Sequence, residues 1–156
     1  MNALSTRVFL GALAGALAIL VFHQTTLQIF FWLGLSPQAA FRIAHVPPFH
    51  APLVVSITFW GAVYGGLLGM ALPWIPGPLC AKSAVAGVCA TGLAWFLFLP
   101  LMGRPAAFGW EAWPMVRSFV AYQMWGVGVS LLLPLLHPRD IGRRPAGRDD
   151  GHHLVA

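Results

Sequence analysis

The segment "FHQTTLQIFFW" (residues 22–32) sets an imidazole and a primary amide, His23 and Gln24, directly after an almost purely apolar run from Val8 to Val21. Such groups can bind a polar solute, relay a proton or ligate a metal. His45 and His50 flank "VPPF" in the proline-rich stretch 36–52. Two imidazoles without a third ligand at a suitable spacing fall short of a zinc site. A b-type haem needs two axial histidines that reach one site. His23 is the only histidine inside an apolar run, and His137 falls at the far end of the last such run. Asp149, Asp150, His152 and His153 form a loose group in a polar tail and read as solvated side chains. Glu111 is the only acid before residue 140, so general acid–base catalysis has almost no material. Neither G-x-S-x-G, H-E-x-x-H nor a phosphate loop occurs. No metal, no cofactor and no enzymatic activity are expected.

What positions these residues is set by composition. Charged residues are 8% of the chain and hydrophobic residues 58%, against roughly 25% charged in an ordinary soluble domain. Seven of the thirteen charges (Lys+Arg 9, Asp+Glu 4) crowd into residues 137–156. A soluble domain with so few charges would aggregate, whereas a bilayer accommodates its apolar surface. The net charge of +5 reflects scarce acids; no basic stripe interleaved with aromatics speaks for nucleic acid. Cys80 and Cys89 lie nine residues apart on one predicted helix, about 13 Å by helical rise, too far for a disulfide.

A span needs about twenty mostly apolar residues. Four segments qualify, approximately 8–31, 52–74, 82–102 and 115–136, each bounded by Pro, Gly or polar punctuation. The runs are continuous and lack the alternation of a barrel strand. The expected fold class is an all-α integral membrane protein, a four-helix transmembrane bundle over residues 1–136 with a disordered cytoplasmic tail, 137–156. The first span is expected to be retained rather than cleaved as a secretory signal, because no small-x-small site follows it. Arg7, Lys82 and four tail arginines oppose Arg42, Arg104 and Arg117, so both termini are expected to be cytoplasmic.

Residues 8–22 supply about 22 Å of helix against a hydrocarbon core of about 30 Å. The first helix must therefore carry His23 and Gln24 into the outer leaflet, with Thr25 and Thr26 returning their hydroxyls to the preceding turn. Ser56 and Thr58 on the second span, and Tyr122 and Gln123 on the fourth, fall at matching depth. A polar layer of His23, Gln24, Ser56, Thr58, Tyr122 and Gln123 is expected. Two readings fit it: helix glue through interhelical hydrogen bonds, or a functional pocket facing the bundle interior. A His23–Glu111 pair across the mouth would be a further possibility. Arg42, with Arg104 and Arg117 near the same side, could attract an anion or a lipid headgroup, though arginines at that level ordinarily snorkel.

Small residues recur at helical spacing: Gly11 and Gly15; Gly61, Gly65 and Gly69, with Gly66 beside them; Ala86, Ala90 and Ala94; Gly126, Gly128 and Ser130. Such rows let helix backbones approach closely, either within the chain or in a homo-oligomer or larger membrane complex. "PQAAF" (37–41) leads to "FWG" (59–61), and "PAAF" (105–108) to "MWG" (124–126). Two readings fit this faint echo: two helical hairpins related by a parallel repeat, or chance, which a match so short in so biased a composition allows equally well.

The combination of "LVFHQTTL", "PPFHAPLVVSITFWGAVYGGLLG" and "QMWGVG" resembles small four-span inner-membrane proteins of bacteria, over residues 8–136. That resemblance implies a bacterial inner membrane and carries no mechanism. The expected function is a non-catalytic accessory or interaction subunit. The alternative is a small-solute transporter or channel with an outer pocket around His23, Gln24, Tyr122 and Gln123.

Overall fold

The computed structural model describes residues 3–47 and 50–136; the tail lies outside the described residues. Among the described residues, four helices are long and apolar enough to cross a membrane: Leu4–Trp32, Leu53–Ala71, Leu79–Leu101 and Ala112–Leu136. They are the four expected spans, with the first starting before Val8 and the third and fourth also starting earlier than their hydropathy suggests. The second ends earlier, at Ala71. Residues 33–52 and 102–111 connect spans at one end, here the long-loop end, and residues 72–78 at the other. The first connection contains a minimal antiparallel pair, β1 (His45–Val46) with β2 (Ala51–Pro52), in which His45 faces Pro52 and Val46 faces Ala51.

The first and third spans stop in the same way. Gly34 and Gly103 both take φ +70°, a left-handed conformation that glycine adopts at no steric cost. Behind Gly34, Leu35 N–H donates to Phe30 O at 2.8 Å and Gly34 N–H to Phe31 O at 3.0 Å. Behind Gly103, Arg104 N–H donates to Leu99 O and Gly103 N–H to Pro100 O, both at 2.9 Å. This is the Schellman arrangement, which satisfies carbonyls that the helix would leave orphaned.

The first and second spans approach most closely, through glycine. A Cβ built on Gly11 would collide with the Gly65 carbonyl, one on Gly15 with the Gly61 carbonyl, and one on Gly69 with the Arg7 carbonyl. The expected small-residue rows are thus used inside the chain. Gly66 meets Val8 and Ala12 at ordinary contact distance. The third and fourth spans pair through Ser83 and Gly87 against Gly126, Tyr122 and Gln123, while Gly128 receives Ala18 and Phe22 of the first span. Ala90 and Ala94 belong to the buried row of the third span, but Ala86 is only half-buried. Ser130 donates to Val127 O of its own helix at 2.8 Å. Trp125, 1% exposed, fills the centre and donates its Nε1–H to Gly15 O at 3.0 Å.

Both helices that end in glycine contain a π-turn, Ile19–His23 in the first and Ala94–Phe98 in the third. The buried residues explain these turns. In the first span the buried pairs are Ala14/Gly15, Ala18/Ile19 and His23/Gln24: four residues apart, then five. In the third, Ala90 and Ala94 are four apart and Leu99 follows after five. A regular α-helix would swing the last group off the buried face. One extra residue in a wide turn keeps it there.

Candidate functional site: a cavity between the second and third spans

Three of the four seams around the bundle are tight: first with second, third with fourth, and first with fourth. The second and third spans are the exception. Their backbones come close at few positions, and along the rest of the seam they meet through aromatic side chains, Trp60 against Phe98 at 4.5 Å between ring centroids and Tyr64 against Phe98 at 6.4 Å. The space between them is a cavity of about 620 Å³, within the range of small-molecule pockets. Its walls are mostly apolar, from Ile57, Trp60 and Tyr64 on one side and Leu97 and Phe98 on the other. Ile19, Tyr122 and Trp125 close the inner side, and Tyr64 lies edge-on to Trp125 at 6.4 Å.

The polar lining comes from few groups. His23, brought inward by the π-turn, packs its ring edge-to-face with Tyr122 at 5.3 Å. Ser56 and Ser118 also line the space, and Ser118 Oγ accepts from Trp95 Nε1 at 3.1 Å. Among the described residues, His23 Nδ1 and Tyr64 Oη are buried and have no hydrogen-bond partner, which is uncommon for buried polar atoms.

Arg42 and Arg104 line the cavity at its long-loop end, and each is held there by backbone geometry. Gln24 is 2% exposed, and its Oε1 accepts from Phe41 N–H at 2.8 Å. Gln28 Oε1 accepts from Ala40 N–H at 3.0 Å. These two amides strap the first connection to the side of the first span. On its other flank, Arg42 O accepts from Val54 N–H at 3.1 Å and Ala44 O from Leu53 N–H at 2.9 Å, docking the same segment on the second span. Arg42 is thus fixed between two helices, and its guanidinium donates to Gln38 Oε1. Arg104 follows the glycine that ends the third span, so the Schellman turn sets its position. Arg117 belongs to a different contact: with Trp113, it donates to Leu35 O.

The expected polar layer is therefore corrected in part. His23, Ser56 and Tyr122 share the cavity; Gln24, Thr58 and Gln123 do not line it. Gln24 faces the first connection instead, where its Oε1 accepts from Phe41 N–H. Gln123 lies in the seam with the third span, 3.1 Å from where a Gly87 Cβ would stand. Thr58 Oγ1 is buried without a partner. His23 makes no pair with Glu111, and among the described residues its Nδ1 has no partner. Thr26 returns its hydroxyl to Phe22 O at 2.8 Å as expected. No three His, Cys, Asp or Glu side chains gather among the described residues, His45 included. The aromatic walls went unread, although Trp60/Tyr64 (i, i+4) and Trp95/Phe98 (i, i+3) are each spaced to share one helix face.

These features define a class: an all-helical chain whose four apolar helices are compatible with a multi-pass membrane protein, and whose loosest seam encloses a largely apolar cavity. Comparison with protein-family models, with curated proteins and with solved structures finds no match.

Proposed function

We propose that the chain is a non-catalytic multi-pass protein of the bacterial inner membrane, with both termini cytoplasmic, that binds a small apolar or amphiphilic molecule in this cavity. The long-loop end then faces the periplasm. The observation that carries the reading is the cavity itself: about 620 Å³, walled by Trp60, Tyr64 and Phe98, beside buried polar atoms left without partners. Apolar walls with a few convergent polar groups are what small-molecule sites generally offer. The expectation of an accessory subunit drew on the glycine rows. Those rows are filled by neighbouring helices within the chain, so they no longer argue for a partner.

The test uses a neutral alkane bearing a diazirine, photolysed in bilayers that contain the protein. Adducts on Tyr64 and Phe98, which face each other across the cavity, are expected. Adducts confined to outward residues such as Phe119, Val127 and Leu135 would overturn the reading.

A further inference from the structure

We infer that the guest is an anionic amphiphile of the bilayer, held with its headgroup between Arg42 and Arg104 and its hydrocarbon tail between the second and third spans. This rests on the ligand-binding reading above and adds the chemistry of the ligand. The two arginines come from different hairpins and are placed by unrelated devices, the Gln24 strap and the Gly103 turn, yet both line one cavity. Among the described residues neither has a carboxylate to pair with: Glu111 is the only acid there and forms no ion pair with them. Two guanidinium groups at the rim of an apolar space complement a single phosphate or carboxylate, which guanidinium binds through paired hydrogen bonds.

The route of entry points the same way. Leu67, Leu97 and Leu101 line the cavity and are 51%, 46% and 61% exposed. They run along the seam from Leu101, next to the arginines, to Leu67 near the short-loop end of the second span, so the accessible lining of the seam is hydrocarbon over most of its length. A polar solute arriving from water would gain nothing from a doorway of leucines. A tail already in the leaflet slides through it without leaving hydrocarbon, while its headgroup stays at the interface, where Arg42 and Arg104 sit.

The decisive measurement is native mass spectrometry of the full chain, extracted gently from bilayers of equimolar phosphatidylcholine and phosphatidylglycerol. One phosphatidylglycerol per chain should be retained in preference to phosphatidylcholine. Arg42→Gln combined with Arg104→Gln should cut that retention roughly tenfold, the loss expected for charge-assisted hydrogen bonds. Arg117→Gln removes a charge at the same end without touching the cavity and should leave it intact. Val63→Trp, which fills the cavity, should displace the lipid while leaving the charges in place. Equal retention of the two lipids overturns the inference. So does an Arg117→Gln effect as large as that of the double variant, which would mark surface electrostatics alone. Release of the lipid by inorganic phosphate would mark a free-anion site and overturn it too. Diazirine labelling of Tyr64 without headgroup preference would sink this inference and leave the ligand-binding reading standing; absence of both would sink both.

Discussion

At the scale of single residues, two glycines of the same type have opposite roles. Gly15 faces the second span so closely that an added Cβ would meet the Gly61 carbonyl and come within 2.9 Å of the Gly65 Cα. Both obstacles are backbone, which cannot rotate away. Gly15→Ala should therefore destabilise by about 1–3 kcal/mol, the usual cost of overpacking. Gly92, on the third span, has nothing within 4 Å of its Cβ position. Gly92→Ala should instead stabilise by about 0.5–1 kcal/mol, because alanine loses less backbone entropy in a helix. Thermal unfolding in a fixed detergent checks both, and equal shifts for the two variants would contradict the packing described. The glycine rows were legible in the sequence because close helix approach has a spacing signature. The partner of Gln24 was not, since a backbone N–H at Phe41 has no residue type to give it away. An amide in an apolar run announces that it needs a partner without saying where the partner is.

At the scale of elements, the four helices were plain from hydropathy, and only their ends moved. Hydropathy falls at Ser5, Thr6 and Arg7, but a helix does not stop where the hydrocarbon does, so the first span begins before the apolar run. The π-turns were missed, and their trace lay in the polar residues themselves. His23 and Gln24 follow Ala18 and Ile19 by five positions, where an unbroken helix would bury residues 22 and 23. An inserted residue that restores a face can be deleted again without moving that face. Removing Val21, which is 53% exposed inside the π-turn, should leave a regular helix with the same buried side and a folded protein of similar melting temperature. Removing Leu13, 37% exposed in the α-helical part, rotates everything beyond it by about 100° relative to Gly11. That deletion should abolish the fold. Size-exclusion profiles and thermal unfolding separate the outcomes; equivalent behaviour would mean the π-turn does not correct the register.

At the scale of the whole molecule, each hairpin repeats one sequence of devices: a small-residue row, a π-turn, a Schellman glycine, a phenylalanine at positive φ (Phe41 at 53°, Phe108 at 56°), then Trp-Gly in the second helix. A two-fold repeat would make the seam between the first and fourth spans equivalent to that between the second and third. The former is closed by Gly128 over Ala18 and Phe22, the latter is held open by Trp60 and Phe98, and the cavity occupies the difference. No pattern within one helix encodes that asymmetry, which is why the cavity could not be read from the sequence while the hairpins could. The same arrangement fixes which residues share an end. Lys82 lies in the first turn of the third span and donates to Leu72 O at 2.9 Å, capping the second span at the short-loop end. Arg7, whose carbonyl lies against Gly69, is at the same end, and the proposed orientation puts that end in the cytoplasm, where Lys and Arg are ordinarily enriched. Cys80, exposed at the start of the third span, reports on that side, and Cys89 sits two turns deeper on the same helix. In intact cells a membrane-impermeant maleimide should leave Cys80 unlabelled and should label it once the membrane is inverted. In a Cys80→Ser, Cys89→Ser background, Gly109→Cys at the long-loop end should react from outside the cell. Labelling of Cys80 in intact cells would reverse the topology, and the two cavity arginines would then face the cytoplasm.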